Sequence, residues 1–175
     1  MRKYDGRPRN IVLVGFMGTG KTTVARLLAD RLGYRAVDTD DEIVRRAGKT
    51  IAEIFAAEGE AWFRDLETQV LRDILAGDGQ VVATGGGAVL REENRRLMLS
   101  AGWVVALAAD PETLAARLAR PAEAGVRPLL AGDAGERVRA LMEARKHAYD
   151  FAHCMIDTSR RTPEDIAGLL MRWVS

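Results

Sequence analysis

Eight consecutive residues concentrate chemistry in this chain: Gly15-Phe16-Met17-Gly18-Thr19-Gly20-Lys21-Thr22. They fit G-x-x-x-x-G-K-[ST], directly after an apolar run and directly before an amphipathic one. Glycines there let successive backbone N–H groups turn inward around an anion, and a helix starting at the lysine adds the partial positive charge of its N-terminus. Gly18, Thr19, Gly20, Lys21, Thr22 and Thr23 are therefore expected to cradle a nucleoside triphosphate, ATP in the first instance. Lys21 would neutralise the β- and γ-phosphates and the Thr22 hydroxyl would ligate Mg²⁺. A glycine-rich turn without a ligand is the plain alternative, and both flanks argue against it.

Asp38 and Asp40 flank Thr39 at the end of a second apolar run, and alternation along a strand would send both carboxylates to one side. In a phosphoryl transfer, one acid can serve the metal and another the acceptor hydroxyl. Asp38 is assigned to the metal, directly or through water, and Asp40 to the hydroxyl as candidate base. The alternative is that Asp40 and Asp41 cap the next helix. Asp110 and Asp157 also end apolar runs but read as a helix cap before Pro111 and as a turn, so they rank below Asp38. The run Gly85-Gly86-Gly87 is costly in chain entropy and calls for positive φ or a close approach to a ligand; a plain sheet-edge turn is its alternative. Guanine-specific switches need a D-x-x-G after a strand and an [NT]-K-x-D, and neither is present, since Asp165 to Gly168 falls in the expected last helix. A small-molecule kinase fits best.

Positioning these groups requires a scaffold of alternating strands and helices. Five short apolar runs read as parallel strands buried on both faces: Ile11 to Val14, Arg35 to Val37, Val81 to Ala83, Val104 to Leu107 and Cys154 to Ile156. Helices are expected after Lys21, ending at Gly33; after the capping box Thr50/Glu53; along the stripe Trp62, Phe63, Leu66, Val70, Ile74; and after Asp110-Pro111 and Thr162-Pro163. In such a sheet ligands bind beyond the carboxyl ends of the strands, where the glycine loop, the two aspartates and the triple glycine all fall.

The length of 175 residues suits one domain, and 47% hydrophobic with 29% charged residues excludes a disordered chain. A net charge of +1 excludes a surface built for nucleic acid or an anionic membrane, so any basic site is local. Cys154 is the single cysteine, which excludes an intramolecular disulfide or cysteine zinc cluster and fits the cytoplasm. No export-type apolar segment opens the chain, and the longest apolar run, Trp103 to Ala109, is far short of a membrane span. His147 and His153, six apart without a Cys or Asp cluster, read as surface or packing residues, and Cys154 as a small core residue.

Taken in order, the motifs resemble the shikimate kinase family: G-F-M-G-T-G-K-T-T, D-T-D at 38–40, F-R-D-L-E at 63–67, G-G-G at 85–87, R-P-L-L at 127–130, R-x-x-x-Y at Arg145 and Tyr149, and D-T-S-R-R-T-P at 157–163. The resemblance runs from about Asn10 to the last helix. It implies an α/β, P-loop nucleoside monophosphate kinase-like fold in three α/β/α layers, with a five-stranded parallel sheet ordered 2-3-1-4-5 and a mobile lid at about 119–135. The implied reaction is transfer of the γ-phosphate of ATP to the 3-hydroxyl of shikimate, by a monomer. By that resemblance Arg64 and Arg145 grip the carboxylate as guanidinium forks, Glu67 fixes Arg64, Gly85, Gly86 and Gly87 offer backbone, and Phe55 and Phe63 wall the ring. Arg127 is the catalytic lid arginine, while Arg120, Arg161 and Pro163 contact adenine. A kinase of another polyol acid such as gluconate is the nearest alternative, disfavoured by D-T-D, F-R-x-x-E and G-G-G together. A degenerate, non-catalytic ATP-binding domain is disfavoured by retention of Lys21, Thr22, Asp38, Asp40, Arg64, Arg127 and Arg145.

Overall fold

Apolar side chains on adjacent strand positions must find cover on opposite faces of a sheet. A computed structural model, describing residues 3–4, 6–120 and 134–174, shows how they find it. Strands β1 (Asn10–Gly15), β2 (Arg35–Asp38), β3 (Gln80–Ala83), β4 (Trp103–Ala108) and β5 (Cys154–Asp157) pair in parallel in the order β2-β3-β1-β4-β5. Val12 lies opposite both Val82 and Val104, and Leu107 opposite Ile156. The order is the expected 2-3-1-4-5.

Helices α1 (Lys21–Leu32) and α8 (Pro163–Val174) cover one face, where Val24, Leu28, Ile166 and Leu170 meet Ile11, Leu13, Val105 and Leu107. The other face carries α2 (Thr39–Ala47), α3 (Ile51–Glu58), α4 (Glu60–Leu75) and α5 (Glu92–Ala101), with Ile43, Ile54, Leu71 and Met98 over Val12, Val14, Val82 and Val104. Each such fully buried side chain contributes roughly 1.5–3 kcal/mol. Helices α6 (Pro111–Leu118) and α7 (Ala134–Ala144) lie on either side of 121–133 in the chain. Leu114, Leu118 and Val138 from them form a third cluster around Phe16 of the glycine loop.

Local signals act as read. Thr50 and Glu53 form a reciprocal capping box, Asp110 accepts the Thr113 N–H, Thr162 and Asp165 bond reciprocally at the start of α8, and Gly33 closes α1 in the left-handed region at φ 69°. Two expectations need correction. Strands β2 and β5 are half-exposed, because each is an edge with one strand neighbour; Arg35, Ala36 and Met155 are exposed and Cys154 is only half-buried. Trp62 is 42% exposed: the buried face of α4 runs through Phe63, Glu67, Val70, Leu71 and Ile74, and Trp62 falls beside it. No helix among the described residues is long and apolar enough to cross a membrane.

Candidate active site

The glycine loop curls at the end of β1, where Gly15 pairs beside Leu107 of β4. Gly15 has φ 149°, and a Cβ there would overlap the Leu107 carbonyl. Gly20, with φ 91°, caps α1 without any side-chain hydrogen bond, so the first-turn N–H groups of α1 are not taken by a cap. The buried Lys21 donates to the Gly15 and Phe16 carbonyls at 2.7 and 2.9 Å, and Thr19 Oγ1 donates to Phe16 at 2.8 Å. The loop thus holds its own cation at its mouth.

Thr22 Oγ1 donates to Asp38 Oδ2 at 2.6 Å, and Asp38 Oδ1 accepts the N–H groups of Asp40 and Asp41. Asp38 is therefore the helix cap, not Asp40 or Asp41. Strand alternation does not align the two acids: β2 ends at Asp38, and Asp40 stands in the first turn of α2, whose N-terminus brings it beside the cavity. Thr22 and Asp38 offer hard oxygen donors side by side, which suits Mg²⁺ completed by phosphate oxygens and water. No cluster of three or more His, Cys, Asp or Glu able to hold a metal exists among the described residues. Asp110 and Asp157 are spent locally, on Thr113 and Ser159.

Across the cavity, Arg64 is 8% exposed and donates through Nη1 to Glu67 Oε1 at 2.8 Å, with its guanidinium 5.2 Å from the Phe63 ring centroid. Glu67 is 1% exposed; burial raises its pKa, while Arg64, Arg91 and Arg145 pull it back down. Arg145 is 5% exposed, its guanidinium 5.9 Å from the Phe16 ring centroid, and it has no ion pair among the described residues. Its Nη1 is buried without a hydrogen-bond partner. The Phe55 and Phe63 rings pack 4.7 Å apart.

The triple glycine has a reason other than positive φ, which none of the three adopts. A Cβ on Gly87 would overlap the Arg64 guanidinium, and one on Gly85 would stand 2.8 Å from Asp40 Oδ1. Absent side chains make room for the groups of the site, while the Gly85 N–H is tied to Thr39 Oγ1 at 3.1 Å.

One cavity of about 530 Å³ unites these parts: residues 18–23, Asp38 and Asp40, Phe55, Phe63 and Arg64, the glycines 85–87, and Arg145. Arg120, Arg161 and Pro163 line it also. Arg127 and most of the expected lid lie outside the described residues. Arg117 was not legible as a site residue, yet it lines the cavity and clamps two of its loops, donating to the Gly18 carbonyl at 3.1 Å and to Thr158 Oγ1 and O at 3.2 and 3.1 Å. Its only sequence signal is a basic residue in the last turn of a helix leading toward the lid segment. The histidines stand apart: His147 bonds Asp150 on the surface and His153 Nδ1 accepts the Val104 N–H.

A phosphate loop facing buried guanidinium groups across one cavity, at the carboxyl edge of a β2-β3-β1-β4-β5 sheet, defines a P-loop phosphotransferase with an anionic acceptor. The shikimate kinase family model matches residues 17–175, and the chain belongs to that family. It is 53% identical over 164 residues to the shikimate kinase of Symbiobacterium thermophilum, covering 93% of this chain and 94% of that one. The Geobacter sulfurreducens shikimate kinase is 51% identical, over 97% and 92%. The solved structure of shikimate kinase from Acinetobacter baumannii in complex with shikimate superposes with a TM-score of 0.89 at 40% identity, over 94% of this chain and 92% of that chain.

Proposed function

We propose that the chain transfers the γ-phosphate of ATP to the 3-hydroxyl of shikimate, a step toward chorismate and the aromatic amino acids. The observation that carries this reading is Arg145: a buried guanidinium without an ion-pair partner among the described residues, in the same cavity as a phosphate loop. An unpaired buried charge is costly, and a substrate carboxylate removes that cost. Arg64 and Arg145 grip the carboxylate, Phe55 and Phe63 wall the ring, and Gly86 and Gly87 supply backbone N–H groups. Asp40 receives the proton of the acceptor hydroxyl as its oxygen bonds to the γ-phosphorus, and the bond from that phosphorus to the β,γ-bridging oxygen breaks, releasing ADP.

Lys21 holds the β- and γ-phosphates, and Thr22 with Asp38 holds Mg²⁺, which when bound offsets phosphate charge. Arg127, outside the described residues, is the arginine assigned to stabilise the transferring charge. Arg120, Arg161 and Pro163, together with Arg117, flank the adenine. The chemistry needs no second copy of the chain, no nucleic acid and no membrane, and a single cysteine suits the reducing cytoplasm.

The test is ADP release with ATP and Mg²⁺ against shikimate, quinate and gluconate. Turnover that depends on shikimate is the expected result. Equal or greater turnover with gluconate, or none with shikimate, ends the reading.

A further inference from the structure

Arg145 opens a run of turns, 145–151, that follows α7, and Tyr149 sits four residues along it. Tyr149 is not part of the cavity wall. Its hydroxyl donates to the Gly86 carbonyl at 3.1 Å. Burial raises the Tyr149 pKa, and Arg145 pulls it back by charge and a side-chain hydrogen bond; Arg145 Nη1 also lies 3.7 Å from where a Cβ on Gly86 would stand. A phenol has one proton and two lone pairs, so giving the proton to Gly86 leaves the oxygen free to accept from arginine.

Peptide planarity extends the effect. Fixing the Gly86 carbonyl fixes the Gly86–Gly87 peptide plane, and with it the direction of the Gly87 N–H on the opposite edge. The preceding plane is held too, since the Gly85 carbonyl accepts the Ala88 N–H at 3.1 Å. The Gly86 and Gly87 N–H groups make no hydrogen bond among the described residues. Two carbonyls are thus pinned from behind while the N–H groups on the other edges of the same planes stay unengaged.

We propose that Tyr149 is a positioning residue of the acceptor site: one half-buried hydroxyl holds the glycine turn and the carboxylate-gripping Arg145 in a common register, and so sets affinity for the anionic acceptor from behind the wall. The inference rests on the acceptor reading above. It assigns Tyr149 an influence on acceptor binding and none on the nucleotide.

The experiment is Tyr149→Phe, which keeps the ring and removes the hydroxyl, with shikimate and ATP titrated separately against variant and wild type, and KM and kcat measured for both. Leaving the Gly86 carbonyl and the guanidinium without this partner should weaken shikimate binding roughly tenfold. ATP affinity should stay within about twofold, and in an Arg145→Lys background the shikimate penalty should shrink to less than about threefold, because the two side chains act as a unit. Unchanged shikimate affinity, equal losses for both ligands, or fully additive penalties in the double variant would overturn the proposal. A wild-type protein that does not bind shikimate at all would instead remove the acceptor reading, and the proposal with it.

Discussion

The two halves of the cavity are built from different material. The donor half is largely one stretch, residues 15–22, which works with main-chain N–H groups, a helix end and a lysine resting on the loop's own carbonyls. The acceptor half is assembled from α2, α3, α4, the glycine turn after β3 and the turn after α7, and it works largely with side chains. Main-chain donors recognise what every nucleoside triphosphate shares, its phosphates, and need no particular neighbours. Buried guanidiniums read one anion in one place, and each must be compensated. For Arg64 the compensation is built in, as Glu67; for Arg145 no carboxylate supplies it among the described residues, and in the proposed reading the substrate does. Generality is therefore cheap to encode in a short segment, and selectivity requires distant segments to be held in register.

The sharpest test of that division is Lys21→Ala, which should lower turnover on the order of 10³-fold while shikimate still binds and the circular dichroism is unchanged. Loss of acceptor affinity in this variant would show that the halves are not separable. Next in size, Arg145→Lys or Arg64→Lys keeps the charge but loses the planar fork. Shikimate binding should weaken on the order of 10²-fold with ATP binding intact, as read by separate titrations. Gly87→Ala tests the space between the halves. Gly87 has φ −96°, so alanine meets no backbone penalty and only its collision with Arg64 remains. Urea unfolding should show a loss of about 1–3 kcal/mol, with shikimate affinity falling before ATP affinity does.

The smallest effect is expected outside both halves. Arg45 and Arg46 hydrogen-bond Glu42 on α2 and hold its pKa down from 4.5 to about 2. A folded-state pKa below the unfolded one contributes stability that is present above pH 4.5 and is lost as pH falls toward about 2. Glu42→Gln should remove that contribution, a few tenths of a kcal/mol for exposed ion pairs after solvent screening. Melting temperatures of variant and wild type should then differ slightly at pH 6 and converge near pH 2, with both ligand affinities unmoved at neutral pH.

Legibility followed the same division. The donor loop could be read because its chemistry is contiguous, and the strands and helix caps because they rest on runs and local pairs such as Thr50 with Glu53, whereas the strand order came from the family resemblance. Arg64 and Arg145 carry no local signal, since an arginine on a helix is ordinarily solvated, and they were reached only through family resemblance. What escaped was geometry created by long-range packing. Asp40 reaches the cavity from a helix turn and not from a strand, the glycine run exists to make room for Asp40 and Arg64, and Arg117 matters because Gly18 and Thr158 happen to meet at its tip. Edge exposure of β2 and β5 likewise depends on strand order, which an apolar run alone does not contain.

The crowding behind the triple glycine carries a consequence for redesign. A protein engineer wishing to shrink the acceptor chamber would naturally thicken its barest wall, yet there the volume is already occupied: any methyl at 87 collides with the Arg64 guanidinium, and one at 85 presses on Asp40. Resizing is better sought where Ile51 and Phe55 line the chamber and pack into the apolar core. Changing the guest is thus a matter of repacking an apolar wall on α3, while positions 85 and 87 leave no room for a side chain beside Asp40 and Arg64.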